Sequence, residues 1–299
     1  MSVTANDRVA APSIRTTLAG YVHVTKPASV WLLVFTAAGA MIVAAGRSLV
    51  LDRFLLAVVA ITAGCAGANT LTCYIDRDID AVMQRTRKRP LPQGVISPRG
   101  ALIWGLFLAG MSLVLAMFFG PWAFSAMLLG LLDNVVVYSL LTKRRTAWNI
   151  ILGGFSGGLP IVFGWFAMTH EWSWTPILMA ALVVLWIPNH IWNLALYYEK
   201  DYGQVRVPML PVVVGFEKAM RCTVATVFLL VPFSLLLMPV AGFGPLYGWI
   251  ALLSGLTILA GNLWLFLKPS RKWAWRMFKL SGPHLALLFT GMVLDRWLT

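Results

Sequence analysis

The stretch at 54–80 reads FLLAVVAITAGCAGANTLTCYI, then Asp76-Arg77-Asp78-Ile79-Asp80. Its first part, 54–75, carries no charge and is long enough for a helix to cross the hydrocarbon layer, which takes about 20 apolar residues. Its last five residues set three carboxylates against the end of that run. Ionisable groups at such a border are costly and mark a pathway or a reaction centre. On a helix, Asp76 and Asp80 share a face with Asn69, two turns earlier, while Asp78 points away. Carboxylates aimed one way suit a hard divalent cation. Mg²⁺ typically takes one or two of them and completes its shell with water and phosphate oxygens. Asp76 and Asp80 are therefore candidate metal ligands, and the Arg85-Thr-Arg87-Lys88-Arg89 tail that follows supplies charge-assisted donors for a phosphorylated partner.

Working outward, the whole chain has this apolar character. Of 299 residues 59% are hydrophobic and 12% charged, with mean hydropathy +0.78. That composition excludes a soluble globular protein and points to an all-α integral membrane protein. Nine runs are spanning candidates: 28–46, 54–75, 101–119, 122–141, 148–168, 176–198, 223–241, 246–267 and 277–298. Cations fall in alternate intervals between them. Arg8, Arg15 and Lys26, then 77–99, 143–145, 200–221 and 268–279, hold nearly all, against Arg47, Arg53 and Arg296 on the other side. The positive-inside rule places the first set in the cytoplasm, with the N-terminus in and the C-terminus out. The same distribution explains the +13 net charge without a nucleic-acid partner. Residues 1–26 read as a retained polar cytoplasmic tail, and 1–299 as one membrane-embedded domain with its chemistry on the cytoplasmic side. Cys65, Cys73 and Cys222 read as small packing residues.

A second polar stripe lies at the end of the sixth run. His190, Asn193, Tyr197 and Asp201 are spaced three, four and four apart, with Lys200 beside them. Asp201 is placed to bind a second Mg²⁺ or to complete the first site from the opposite side. The stripe reads alternatively as an interfacial anchor of tyrosines and charges. His190 follows Pro188 and serves either a substrate or a carbonyl freed by the kink. Lys143-Arg144-Arg145 is either a diphosphate clamp or an orientation signal, with Tyr138 upstream lining the same cavity. Asp133, mid-helix, is a structural hydrogen-bond partner or a contact to a second substrate. His23 and His284 read as interfacial or packing residues. There is also a weak internal echo. Asp76–Asp80 with Arg89-Pro90-Leu91-Pro92-Gln93-Gly94 parallels Asp201 with Val207-Pro208-Met209-Leu210-Pro211 and Gly215, as in folds built from two helical halves around a shared cavity.

The strings Tyr74-Ile-Asp76-Arg77-Asp78-Ile-Asp80-x-x-Met83-x-Arg85-Thr86-x-x-Arg89-Pro90-Leu91, Lys143-Arg144-Arg145-Thr146, His190-x-Trp192-x-Leu194-Ala195, Lys200-Asp201-Tyr202 and Val207-Pro208-Met209-Leu210-Pro211-Val212-Val213 resemble the UbiA-type intramembrane prenyltransferases, specifically the branch that acts on haem. The likeness runs from about Lys26 to Gly215. It departs at Thr72, where the superfamily pattern has asparagine. Asn69 is the substitute one turn earlier, or Thr72 serves as a weaker oxygen ligand. The resemblance implies nine helices around a central cavity, Mg²⁺ as cofactor, farnesyl diphosphate as donor and haem b as acceptor, giving haem O. It implies a multi-pass protein of the plasma (inner) membrane, with a haem A synthase or terminal oxidase assembly as partner. Asp76, Asp80, Asp201, Arg85, Arg89 and Lys143 are then expected to be catalytic, with the three aspartates on the metal. Asn69, Thr72, Arg77, Arg144, Tyr138, His190, Asn193, Tyr197 and Lys200 are expected to bind substrate. The competing readings are a sister enzyme prenylating a quinone precursor, a chlorophyll-type ring or a lipid headgroup, a transporter, and a non-catalytic haem-binding membrane protein.

Overall fold

The computed structural model describes residues 13–298. Among them are nine helices long and apolar enough to span a membrane: Pro27–Ser48, Leu51–Ile75, Pro98–Met117, Pro121–Thr142, Asn149–Met168, Thr175–Tyr197, Phe216–Ala241, Pro245–Leu267 and Arg271–Leu298. The seventh and ninth start six or seven residues before the apolar count begins. Their first turns carry Glu217, Lys218 and Arg221, and Arg271, Lys272 and Arg276, which continue the helix outside the hydrocarbon layer. Apolar counting sees only the part in lipid.

Residues 14–24 of the expected polar tail are helical. Ile14–Val24 is a helix whose Ser13 hydroxyl caps the Thr16 N–H. Ile14, Leu18 and Val22 form an exposed i, i+4, i+8 stripe, while Gly20 and Val24 are buried against the body. That is the pattern of a helix lying in a bilayer surface. The part of the tail at 1–12 lies outside the described residues.

The spans close a ring. Each packs on the next, and the ninth returns to the first, with further contacts between the first and fifth and between the sixth and ninth. Lipid offers no hydrophobic drive between helices, so close backbone approach does the work. Gly67 lets the second span reach the third: a Cβ there would stand 2.7 Å from Ala109 N. Gly164 does the same for the first and fifth, where a Cβ would stand 2.5 Å from Ala37 O. Asn189 ties the sixth span to its neighbours, donating to Asn262 Oδ1 at 2.9 Å and Thr223 O at 3.1 Å.

The internal echo is visible as structure. The second span stops at Ile75 and a six-residue helix, Arg77–Val82, follows; the sixth stops at Tyr197 and a six-residue helix, Glu199–Gln204, follows. Each short helix presents a buried aspartate, Asp80 and Asp201.

Candidate active site

The break at Asp76 does not disturb the helical facing. Asp80 N still donates to Asp76 O at 2.8 Å, so the two carboxylates stay one turn apart on one side. Asp76 and Asp80 are 2% and 4% exposed, whereas the Asp78 side chain is 61% exposed. Buried carboxylates need partners. Asp80 Oδ2 accepts from Arg89 Nη1 at 2.6 Å, and Asp76 Oδ2 from Lys143 Nζ. Arg144 grips Asp78 through both carboxylate oxygens at 2.6 and 2.7 Å and reaches Asp76 Oδ1 only at 3.7 Å. The Arg144 hydrogen bonds hold the Asp78 carboxyl down at about 2. Burial lowers the Lys143 pKa, but the charge interactions with the Tyr138 phenol and the Asp76 carboxylate outweigh that and hold it above its ordinary range.

Asp201 enters from the other short helix. Its Oδ2 accepts the backbone N–H of Arg85 at 3.1 Å, and Arg85 Nη2 lies 3.4 Å from Tyr202 OH, its guanidinium over the Tyr198 ring. Ile79 and Met83 pack with Trp192, Tyr202 and Met209, which seals the two motifs together. The structure therefore brings Asp76, Asp80, Asp201, Arg85, Arg89, Lys143, Arg144, Tyr138 and Thr72 to one cluster at the same end of the bundle. Asn69 sits two turns deeper. It lines an apolar pocket between the first, second, fourth and fifth spans, walled by Leu33, Ile61, Met127 and Phe163. Its Nδ2 is buried without a hydrogen-bond partner.

Other expected residues lie elsewhere. Arg77 folds back onto its own helix, donating to Tyr74 O and covering the Tyr74 ring. Lys200 is exposed. Tyr197 is exposed and stacks on Trp275 of the ninth span. His190 is clasped between Trp186 and Phe278, with Nδ1 2.6 Å from Ser281 Oγ, so it does not serve the carbonyl freed by Pro188. Asn193 is buried, donating to Asn189 O while its Oδ1 has no partner. The stripe is split because the sixth helix ends at Tyr197 and its register is lost before Asp201. Asp133 Oδ2 accepts the Ser156 N–H at 2.7 Å, the structural role of the two expected, and caps the main helix of the fifth span. It borders a larger hollow of about 660 Å³ among the fourth, fifth and sixth spans, whose lining includes none of the clustered cations.

One residue went unseen as part of this site. Lys26 counted only as an orientation charge. Its Nζ reaches Thr72 Oγ1 at 3.1 Å, one turn before Asp76, and it is in none of the ion pairs of the described residues. Burial, with Arg89 and Lys143 nearby and against the pull of Cys73 and Asp80, depresses its pKa. A half-buried ammonium whose one close partner is a neutral hydroxyl is costly unless an anion arrives. The signal available was its position, a cation at the edge of an apolar run like the aspartates themselves.

The donor set fits a hard cation. Asp76 Oδ1 is buried with no hydrogen-bond partner, an oxygen left over by the surrounding network. Among the described residues no three His, Cys, Asp or Glu side chains stand close enough to hold a metal alone. Oxygens from a ligand must complete the shell, the usual arrangement for Mg²⁺.

Residues 32–287 match the model of the UbiA prenyltransferase family. A protein of Desulforudis audaxviator named protoheme IX farnesyltransferase is 50% identical over 292 residues, 97% of this chain and 92% of that one. Protoheme IX farnesyltransferase 2 of Cenarchaeum symbiosum is 42% identical, covering 93% and 96%. Among solved structures, a digeranylgeranylglyceryl phosphate synthase aligns with TM-score 0.78 at 18% identity, over 95% of this chain and 99% of that one. A UbiA homolog from Archaeoglobus fulgidus bound to GPP and Mg²⁺ aligns at TM-score 0.66 and 18% identity, over 91% and 99%. At that identity the likeness is one of fold.

Proposed function

Because this chain belongs to the UbiA prenyltransferase family, we propose that it transfers the farnesyl group of farnesyl diphosphate to a vinyl group of haem b, giving haem O. The observation that carries the diphosphate half is the hydrogen bond from the Arg85 backbone N–H to Asp201 Oδ2. It joins two acid-bearing helix ends on the side where Arg89, Lys143 and Arg144 pair with the aspartates. The acceptor half rests on the protoheme IX farnesyltransferases that match nearly the whole chain.

Asp76 and Asp80 would hold one Mg²⁺ and Asp201 a second from the opposite side, and when bound these ions supply positive charge to the diphosphate oxygens. Lys143, Arg144, Arg85 and Arg89 compensate the rest of that charge as the allylic C–O bond lengthens and its electron pair leaves with the diphosphate. The apolar pocket that Asn69 lines would widen to take the farnesyl tail, and its apolar walls would keep water from the allylic cation. The vinyl π electrons form the new C–C bond. Water then adds to the resulting cation and loses a proton, leaving the hydroxyl. On the acceptor side, His190 is a candidate for substrate contact; its Nδ1 lies 2.6 Å from Ser281 Oγ, which also lies 2.7 Å from Phe278 O. Asn193, Tyr197, Arg77 and Lys200 are second-rank candidates for substrate contact. The site faces the cytoplasm, with the protein in the plasma membrane.

Purified protein given haem b, farnesyl diphosphate and Mg²⁺ is expected to yield the mass of haem O, and Asp76→Ala to lower turnover about 100-fold or more. Near-normal turnover of Asp76→Ala at saturating Mg²⁺ would sink the assignment.

A further inference from the structure

The fourth span does not keep one helical register. Pro121–Leu132 is α-helical, and Asp133–Thr142 winds as a π-helix, whose N–H groups close on carbonyls five residues back. Lys143 N, at its exit, donates to Tyr138 O at 2.8 Å, five residues back. Two buried hydroxyls follow the same spacing. Ser139 Oγ donates to Asn134 O at 3.0 Å, and Thr142 Oγ1 to Val137 O at 2.8 Å, with a second contact to Tyr138 O at 3.2 Å. In an α-helix such hydroxyls reach carbonyls three or four residues back, so the two five-back bonds brace the wider turn, with Thr142 Oγ1 keeping a four-back contact as well.

The register decides where the next residues go. A wider turn holds more residues per revolution, so ten of them rotate the chain by roughly half a turn less than an α-helix would. Below, the segment is pinned by Asp133 on Ser156 N. In its middle, Tyr138 packs where a Cβ on Gly153 would stand 2.6 Å from Tyr138 Cβ. Above, it delivers Lys143 to Asp76 and Arg144 to Asp78. With the lower end fixed, an α register would carry Lys143 to the other side of the span.

We propose that Ser139 and Thr142 are positioning residues for the diphosphate site: their hydroxyls hold the π register that aims Lys143 at Asp76. The inference rests on the reading of Lys143 as a diphosphate contact. The test compares Thr142→Val, Thr142→Ser and Ser139→Ala in the full-length protein. The readouts are KM for farnesyl diphosphate and for haem b, and the rise in melting temperature with inorganic pyrophosphate and Mg²⁺. Thr142→Val is expected to raise KM for farnesyl diphosphate about tenfold and to lose most of the pyrophosphate shift, with KM for haem b changed less than about twofold. Thr142→Ser keeps both wild-type values. On a Lys143→Met background, Thr142→Val adds less than about twofold, because both changes withdraw the same ammonium. Should Thr142→Val fail to fold, Ser139→Ala carries the same comparison with an effect of about threefold.

A wild-type KM and pyrophosphate shift in Thr142→Val overturns the proposal, and so does an effect equally large without Lys143. A wild type that makes no haem O overturns the proposed function, while the pyrophosphate shift still decides the role of Thr142. A wild type that pyrophosphate leaves unshifted overturns the positioning role too.

Discussion

Lys26 shows how much a single side chain's surroundings say. Its backbone is left-handed, φ 56, at the turn into the first span, a conformation only glycine and a few polar residues adopt readily. Its ammonium lies among Arg89 and Lys143 with Thr72 as its hydrogen-bond partner. Lys26→Gly relieves the backbone while deleting the charge, so a loss cannot be blamed on strain. We expect KM for farnesyl diphosphate to rise about tenfold or more with KM for haem b unchanged, from the loss of a charged hydrogen bond. Steady-state kinetics with each substrate varied in turn checks this, and an unchanged farnesyl diphosphate KM would remove Lys26 from the site. The facing of the aspartates was legible in sequence because the i→i+4 bond survives the break at Asp76. Lys26 was not, because its charge was already explained by membrane orientation.

At the scale of elements, the spans were readable because lipid demands long uncharged helices. The π-helical segment was not. Its few polar residues, among them Asp133, Asn134, Ser139 and Thr142, form no continuous face whose period would betray a change of register. His190 and Tyr197 stand apart from Asp201 for a related reason: the expected stripe assumed one continuous helix, and the helix stops between Tyr197 and Asp201. Contacts between spans follow from small residues, which yields a paired expectation. Gly67→Val should destabilise by about 1–3 kcal/mol or more, since even its Cβ meets the Ala109 backbone. Gly110→Ala, where nothing lies within 4 Å, should be neutral or mildly stabilising. Thermal unfolding in detergent reads both, and equal melting temperatures would mean the second and third spans separate at no cost.

For the molecule as a whole, the described residues carry nine candidate spans, and an odd number is expected to set the two ends of the chain on opposite faces. By the positive-inside rule, the cation distribution is expected to put the ends of the second, fourth and sixth spans, near Asp76, Lys143 and Asp201, inside. An alkaline phosphatase fused after residue 299 is expected to be active in intact bacteria, and one fused after Arg145 inactive. The reverse pattern would turn the site outward. The repeat of a span followed by a six-residue acidic helix was faintly legible in the proline-rich strings, yet only three dimensions join its two copies through Asp201 and Arg85.

The ion pairs on Asp76 and Asp80 also bear on how substrates enter. A divalent ion arriving alone meets carboxylates already neutralised, and a pyrophosphate group arriving alone meets cations already engaged. Arriving together, they trade partners with both acids and bases while the local charge stays balanced. Each should therefore bind more tightly in the other's presence, by the same factor in both directions, so that the empty enzyme neither hoards magnesium nor holds stray phosphate.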